Sequence, residues 1–310
     1  MKERLADLGF AAGWRVVRLL PEKWAVALFD RGADWASRRA GGGVQQLRAN
    51  LRRVVPRAGE AELDELVRLS VRSYARYWRE AFRLPSMDLK AVYESCDRSF
   101  SGVENLEAAL AAGNGVVLAL PHCGNWDMAG VWLVEKLGTF TTVAERLRPE
   151  SLYRRFIAFR ESLGFEVVPL TGGDRNPAVV LAERLRANQP ICLLADRDLT
   201  AGGVPVTFFG ERTMMPAGPA HLAATTGAAL LPVGLWFTED GWVVRIHPPI
   251  RVSGTGGVPA ATQSIADVFA ADIAAHPTDW HMFQQLWLAD LPESRQKALR
   301  RVLARREGTG

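Results

Sequence analysis

From residue 115 onward, short apolar segments of strand length alternate with segments of helical periodicity. The apolar segments are residues 115–120, 139–144, 165–169 and 191–195. The helical segments between and after them are residues 126–137, 149–163, 177–188 and 262–275, with further strands at 229–237 and 242–247. Consecutive parallel strands need a helical crossover, and strands covered on both faces are apolar throughout. The pattern predicts an α/β fold with a central, mostly parallel sheet flanked by helices.

Ahead of this pattern lies a helical, basic region. Residues 2–20 place apolar side chains on one helical stripe with arginines opposite, and residues 61–84 also have helical periodicity beside a basic face. The chain has 310 residues, of which 48% are hydrophobic, so it can build one large core. We predict a single domain over residues 1–310, with a helical N-terminal subregion at 1–86 and an α/β core at 100–290.

Charge is distributed unevenly along the chain. Residues 1–57 carry 12 Lys and Arg against 5 Asp and Glu, residues 58–294 carry 20 against 28, and residues 295–310 carry 6 against 1. Basic ends suit nucleic acid or an anionic lipid surface, and they also arise from an arginine-rich composition alone. No apolar run reaches the roughly 18 to 20 residues that span a bilayer, and no signal peptide is expected. Three cysteines without C-x-x-C spacing predict neither a disulfide framework nor a metal site.

A histidine and an aspartate follow the first strand of the alternating pattern. The segment G-V-V-L-A-L-P-H-C-G-N-W-D places His122 and Asp127 where strands of α/β sheets end and ligands bind. A carboxylate that accepts from the imidazole Nδ1 leaves Nε2 free to take a proton from an alcohol. We therefore expect Asp127 to orient His122 as a general base. The alternative is a structural histidine bonded to backbone.

Competing chemistries have little support in the sequence. A G-x-S-x-G elbow is missing, which disfavours a serine hydrolase. Cys123 stands beside His122, but its small size and the glycine that follows favour a packing role over that of a nucleophile.

The H-x4-D motif, within H-C-G-N-W-D, resembles that of the glycerolipid-type acyltransferases, in the branch that contains the bacterial lipid A acyltransferases. Four further stretches are most similar to the actinobacterial phosphatidylinositol mannoside acyltransferases of that branch. They are A-E-R-L-R-P-E at 144–150, L-L-A-D-R-D-L-T at 193–200, V-T-F-F-G at 206–210 and H-P-T-D-W-H-M-F-Q at 276–284. The E-G-T-R block with which glycerol-phosphate acyltransferases hold phosphate is missing from the core, which argues against a small phosphate acceptor.

The resemblance implies transfer of a long, palmitoyl-type acyl chain from acyl-CoA to a mannose hydroxyl of a phosphatidylinositol mannoside. Acyl-CoA is then a co-substrate, and neither a further cofactor nor a metal is expected. Residues 1–86 become a membrane-docking subregion and residues 100–290 the catalytic core, placed peripherally at the cytoplasmic face of the plasma membrane. The basic ends are then expected to meet an anionic membrane surface, and no nucleic acid partner is expected.

Supporting residues follow the other strands. Glu145 and Asp196 each come directly after a predicted strand, so both could reach the edge that carries His122. The resemblance implies that Asp196 takes part in catalysis and that Glu145 lines the acceptor site. Arg160 and Arg197 are candidates for CoA phosphates or the thioester region, since a guanidinium holds phosphate oxygens bidentately. Gly202, in an Ala-Gly-Gly turn, could bring a backbone N–H to a phosphate.

We expect direct transfer without an acyl-enzyme, with backbone donors near the helix that starts at about Trp126 stabilising the oxyanion. The acyl groove is expected along the apolar helix face at 128–134 or beside the aromatics Phe208, Phe209 and Trp236. A thioesterase that uses the same base on water, a non-catalytic lipid-binding protein and an acyltransferase for another glycolipid remain alternatives.

Overall fold

The structure is a computed structural model that describes residues 13–146, 149–198, 202–293, 296–297 and 299. Its strands are β1 (Phe100–Ser101), β2 (Val116–Leu120), β3 (Phe140–Ala144), β4 (Phe165–Pro169), β5 (Pro190–Leu194), β6 (Val204–Phe208), β7 (Glu211–Met215), β8 (Ala229–Phe237) and β9 (Trp242–Ile246). Seven of them form one sheet in the order β1-β9-β8-β2-β5-β3-β4. All neighbours in this sheet pair in parallel except β8 and β9. The predicted α/β class with a mostly parallel sheet is confirmed.

Helices flank this sheet. They are α1 (described over residues 13–19), α2 (Glu22–Arg39), α3 (Gly42–Val54), α4 (Glu60–Arg83), α5 (Leu89–Asp97), α6 (Val103–Ala111), α7 (Trp126–Leu137), α8 (Glu150–Ser162), α9 (Pro177–Arg186), α10 (Gly218–Thr226) and α11 (Val258–Ala275). Helices predicted from periodicity in the α/β core correspond to α7, α8, α9 and α11. The 61–84 prediction corresponds to α4.

A two-stranded hairpin, β6 with β7, was missed by the sequence pattern. Its two-residue turn consists of Phe209 and Gly210, whose φ angles are 48° and 77°. Positive φ at both turn positions is the geometry that matches the twist of a tight hairpin, but phenylalanine seldom adopts it. The turn therefore carried no recognisable Asn-Gly or Asp-Gly signal.

The helical N-terminal region has a small core of its own. α4 packs against α2 and α3, and together they bury six side chains: Ala33, Leu47, Leu51, Leu63, Val67 and Val71. Of the helix predicted at 2–20, residues 13–19 are helical, and residues 1–12 lie outside the described residues. None of the helices within the described ranges is long and apolar enough to cross a membrane.

The central strands determine where the site lies. All five residues of β2 are buried, because β5 and β8 pair with it on either side. In the β2–β5 register Leu120 lies opposite Leu194, the last residue of each strand. The residues that follow these two strands therefore emerge side by side at the carboxyl edge of the sheet.

Candidate active site

His122 and Asp196 form the centre of the site. Each lies two residues beyond the end of its strand, so the β2–β5 register brings together residues that are 74 apart in sequence. His122 Nδ1 is 2.5 Å from Asp196 Oδ1, and the His122 backbone N–H donates to Asp196 Oδ2 at 2.9 Å. The Asp196 side chain is fully buried, whereas 27% of the His122 side chain is exposed. The imidazole is thus held by a buried carboxylate and still reaches the surface.

The charge on Asp196 determines the tautomer of His122. Burial alone would raise the pKa of Asp196, but the attraction of His122 and hydrogen bonds from His122 and Trp280 hold this pKa below its ordinary value. Trp280 Nε1 donates to Asp196 Oδ2 at 3.0 Å. An ionised carboxylate can only accept hydrogen bonds, so Nδ1 of His122 carries the proton and the lone pair is on Nε2.

The prediction that Asp127 contacts His122 was wrong. Asp127 is buried in the first turn of α7, where its carboxylate accepts from Arg160 Nε at 2.9 Å and from the Tyr77 hydroxyl at 3.0 Å. Asn125 caps this helix, which directs the Asp127 side chain toward α4 and α8. Asp127 therefore holds Arg160 and Tyr77, while Asp196 takes the orienting position on Nδ1 that we had assigned to Asp127.

Three backbone donors in the first turn of α7 are already paired. The backbone N–H groups of Asp127 and Met128 both donate to Asn125 Oδ1, each at 3.2 Å. Ala129 N–H donates to the Asn125 carbonyl. These three donors satisfy the start of the helix, and an oxyanion site near Trp126 stays a prediction.

Residues 279–281 support the His122 turn from its far side. The backbone N–H of His281 donates to the His122 carbonyl at 2.8 Å, and Gly124 N–H donates to the Asp279 carbonyl at 2.9 Å. Ser73 on α4 anchors this segment, since its hydroxyl donates to Asp279 Oδ1 and accepts from His281 Nε2. Burial, with a smaller contribution from His122, lowers the pKa of His281 to about 3, so this second imidazole is neutral.

Sequence reasoning missed several of these supports. Trp280 and His281 lie in the H-P-T-D-W-H-M-F-Q stretch, which was noted for its resemblance but gave no indication of partners. Ser73 and Tyr77 lie within the helical pattern of 61–84, where periodicity favoured a packing role. No local signal distinguishes a core tyrosine from one that donates to a buried carboxylate.

An apolar cavity lies between α7 and one face of the sheet. Its cavity volume is about 80 Å³, and the space between its walls is about 720 Å³ when open solvent is included. Its walls come from α7 and from every strand of the seven-stranded sheet, including Phe100, Leu118, Thr142, Phe165, Cys192, Val233 and Val244. Leu120 and Trp126, on either side of His122 in sequence, also line it. The cavity wall thus includes residues close to His122 in sequence, on both sides of the central strand β2.

The two candidate acyl grooves predicted from the sequence lie at different places relative to this cavity. The α7 face expected to form an acyl groove does line it, through Ala129, Gly130, Trp132 and Leu133. Phe208 instead packs on Trp280 and Trp287, and Trp236 stacks on His276 at 4.3 Å.

Arg160 also lies in the cavity wall, with its guanidinium committed to Asp127. Burial acts to lower the pKa of Arg160, but the attraction of Asp127 and Tyr77 raises it overall, so the side chain is a fixed cation. The prediction that Arg160 holds CoA phosphates is therefore not supported by its geometry, since its donors face a buried carboxylate.

A second, polar cavity lies beyond Asp196. Glu145 at the end of β3 and Arg197 after β5 both line it, so two residues predicted separately share one crevice. This position separates Arg197 from Arg160, which lines the apolar cavity. Gly202 is exposed near Asp198, whose carboxylate accepts from the Gly203 N–H at 3.0 Å. Residues 199–201 lie outside the described residues, and a phosphate contact at Gly202 stays a prediction.

A metal centre finds no support in the described ranges, which contain no group of three or more His, Cys, Asp and Glu side chains close enough to hold an ion. Cys123 is free and buried, and burial raises the pKa of its thiol well above the ordinary value, with nearby carboxylates adding to the effect. A protonated, enclosed thiol is a poor nucleophile.

An oriented imidazole at a sheet edge, near an apolar cavity, has the parts of a general-base enzyme that acts on a hydroxyl and an apolar group. Comparison with known proteins places it among acyltransferases: the family model of the bacterial lipid A biosynthesis acyltransferases matches residues 4–289, and the chain belongs to that family.

Among curated proteins, the chain is similar to the phosphatidylinositol mannoside acyltransferase of Mycolicibacterium smegmatis, with 59% identity over 296 residues and 96% of each chain covered. It is also similar to the phosphatidylinositol mannoside acyltransferases of Mycobacterium tuberculosis strains CDC 1551 and H37Rv. The identities are 58% and 57% over 294 residues, which cover 95% of this chain and 92% of each relative. The resemblance inferred from the motifs is confirmed.

Proposed function

We propose that this acyltransferase moves a long fatty acyl chain, of palmitoyl type, from acyl-CoA to a mannose hydroxyl of a phosphatidylinositol mannoside. The observation that carries the proposal is the His122–Asp196 pair, in which His122 lies along the chain between two residues of the apolar cavity wall, Leu120 and Trp126. The pair supplies a base, and the cavity supplies a place for an acyl chain. The names of the similar mycobacterial acyltransferases support the acceptor class.

The proposed chemistry uses Nε2 of His122 as the general base. Nε2 takes the proton of the mannose hydroxyl as the oxygen attacks the thioester carbonyl carbon. The resulting imidazolium is stabilised by Asp196, whose lowered pKa keeps it ionised. Collapse of the tetrahedral intermediate breaks the C–S bond, and the proton passes from His122 to the departing sulfur. The products are the ester and CoA thiol, and no acyl-enzyme forms.

The apolar cavity is the proposed site of the acyl chain. Each CH₂ removed from water contributes about 0.8 kcal/mol, so a C16 chain needs an apolar enclosure of this kind. The walls come from seven neighbouring strands, and strands lie about 4.8 Å apart, so the cavity extends across the sheet rather than along it. Because β2 is the central strand, an acyl chain with its carboxyl end at His122 runs from the middle of the sheet toward one of its edges.

Membrane docking is proposed for α1 and α2. Five large apolar side chains on these helices are 55% to 77% exposed: Val16, Leu19, Trp24, Leu28 and Trp35. The same helices expose cations, including Arg15, Lys23, Arg31, Arg38 and Arg39. Tryptophan favours the membrane interface, and each basic residue near an anionic leaflet contributes about 1 kcal/mol. We assign this surface to the cytoplasmic leaflet, where the lipid acceptor is presented.

Incubation of the purified protein with palmitoyl-CoA and mixed lipid acceptors, followed by mass spectrometry, tests the proposal. The expected product is an acylated phosphatidylinositol mannoside, formed with stoichiometric CoA thiol. His122→Ala should lose this product, and His221→Ala, an exposed histidine on α10, should retain it. Free fatty acid as the main product would establish a thioesterase, absence of CoA release a lipid-binding protein, and acylation of a different lipid another acceptor.

A further inference from the structure

The polar crevice beyond Asp196 has a composition that differs from the rest of the surface. Its polar and aromatic lining consists of two carboxylates, one guanidinium, three amides and one aromatic ring: Glu145, Asp198, Arg197, Gln46, Gln284, Gln285 and Phe283. Its empty volume is about 990 Å³, counting the part open to solvent. None of these seven side chains lines the apolar cavity. The crevice and the apolar cavity are thus lined by different residues.

Covalent and hydrogen-bond connections tie this crevice to His122. Arg197 directly follows Asp196, whose carboxylate holds Nδ1 of His122. Phe283 lies two residues after His281, whose backbone N–H holds the His122 carbonyl. The crevice is thus lined by close sequence neighbours of the residues that hold His122, which makes it the candidate site for the part of an acceptor that extends beyond the reacting hydroxyl.

The polar side chains of the crevice are available to a ligand. Among the described residues, the side chains of Glu145, Arg197, Gln284 and Gln285 have no hydrogen-bond partner. A sugar hydroxyl both donates and accepts hydrogen bonds, and an amide side chain offers both functions. A carboxylate and a guanidinium add an acceptor and a donor of greater strength. This mixture suits several neighbouring hydroxyls better than a single anionic group.

Phe283 supplies a rigid apolar surface within this polar setting. Its ring packs on Tyr74 with the two centroids 4.8 Å apart, and Tyr74 in turn contacts the His281 ring at 5.3 Å. A pyranose or cyclitol ring presents C–H groups on its face, and an aromatic side chain buries that face while hydroxyls bond at the edges. By contrast, the crevice between α1 and α8 is lined by Arg15, Arg18 and Arg155 with no acid, as expected for an anion.

We propose that the polar crevice binds the ring of the acceptor head group that is next to the acylated mannose, with Gln284 and Gln285 as its specificity-determining residues. This inference rests on the proposed function. The two amides act on acceptor recognition and not on the acyl donor, because the acyl chain lies in the other cavity. The crevice therefore makes the enzyme favour acceptors with more than one ring over simple mannosides.

The test uses the double variant Gln284→Ala/Gln285→Ala. Both side chains are exposed, and the Gln284 carbonyl that accepts from Asn50 Nδ2 is retained, so the fold is unaffected. With palmitoyl-CoA as donor, KM for phosphatidylinositol dimannoside should rise by about tenfold, while kcat and KM for palmitoyl-CoA stay unchanged. KM for n-octyl α-mannoside, which has one ring, should not change. Gln45→Ala, an exposed neighbour outside the crevice, is the matched control.

Direct binding separates this inference from the proposed chemistry. Calorimetry with the water-soluble, deacylated head group of phosphatidylinositol dimannoside should give the same Kd for wild type and His122→Ala. The double variant should bind about tenfold more weakly. An unchanged Kd in the double variant, or an equal rise in KM for both acceptors, would overturn the crevice assignment. Failure of acyl transfer with this binding pattern intact would overturn the proposed function alone.

Discussion

The two cavities beside the His122–Asp196 pair are built in different ways. The apolar cavity is walled by regular strands and α7, and its lining residues on β2 and β5 alternate along the strands because one sheet face covers it. The polar crevice is walled by the start of α3, by residues after β3 and β5, and by residues 283–285. Regular elements therefore form the surface suited to a featureless chain, and irregular segments form the surface suited to hydroxyls.

The largest expected effect is that of removing His122, the residue on which the reaction of both substrates depends. His122→Ala should reduce transfer by about 10² to 10⁴ because it removes the base that serves both substrates. It should leave the Kd for a non-hydrolysable palmitoyl-CoA thioether and the Kd for the deacylated head group unchanged. Rapid-quench kinetics with both binding assays measure this. Loss of either binding would mean that His122 is part of a cavity wall rather than the group between the two cavities.

A comparison of variants at Asp127 and Asp196 distinguishes a structural role in the wall of the apolar cavity from a role in the catalytic pair. Asp127→Ala leaves the buried Arg160 guanidinium unpaired, which should reduce the free energy of unfolding by about 3 to 5 kcal/mol. Asp196→Asn should instead lower kcat with a smaller loss of stability, because it removes the negative charge that stabilises the imidazolium and replaces one acceptor oxygen by an NH2 donor. Urea unfolding and kcat measured on both variants make the comparison. A large kcat loss with normal stability in Asp127→Ala would return Asp127 to the catalytic pair.

The segment that joins the crevice to His122 should respond to pH through His281. Its folded-state pKa of about 3 lies below the unfolded value of about 6.5, so the unfolded chain binds the extra proton between these values. This part of the stability is present above pH 6.5 and is lost as the pH falls, by about 2 kcal/mol at pH 5.

The matched variant for this prediction is His281→Gln, which retains a donor toward Ser73 but does not titrate. Urea unfolding of wild type and variant at pH 7 and pH 5 measures the difference, so that other titrating groups, such as the buried Asp279, cancel. Equal pH dependence in both proteins would show that His281 is not held neutral in the fold.

A smaller expected effect concerns the length of the acyl chain. Val143 on β3 and Val244 on β9 line the apolar cavity on opposite sides of β2. Val143→Phe and Val244→Phe each fill one side, and the variant on the side that holds the end of the chain should shift the preference from C16 toward C12 or C14 by about tenfold. Competition between acyl-CoAs of different lengths measures it. No shift with either variant would exclude this cavity as the acyl site.

The proposed membrane-docking surface on α2 is tested separately from the two cavities. Trp24→Ser/Trp35→Ser should reduce sedimentation with vesicles that contain anionic phospholipid by several-fold, because both side chains are exposed on α2. Val179→Ser, an exposed apolar residue on α9, is the control. Equal loss of binding in the control, or unchanged binding in the double variant, would remove α2 from the docking surface.

Most helices and strands of the core could be predicted from the sequence, because burial imposes a local periodicity of apolar residues on each element. The strands from β2 to β5, β8 and β9, and the helices α4, α7, α8, α9 and α11, follow from which residues face the core. The position of His122 at a sheet edge follows as well. The β6–β7 hairpin could not be predicted, because Phe209 in its turn adopts a positive φ that its residue type does not indicate.

Only the tertiary structure determined which side chains form hydrogen bonds and ion pairs with one another. The sequence predicts that a carboxylate orients His122, and Asp127, five residues away, is the nearest candidate along the chain. The strand order β8-β2-β5 supplied Asp196 instead, and the β2–β5 register placed its carboxylate against Nδ1. Asp127 then found Arg160 and Tyr77 on other helices. Sequence periodicity records which face of an element is buried, but only the order and register of the packed elements determine which buried groups meet.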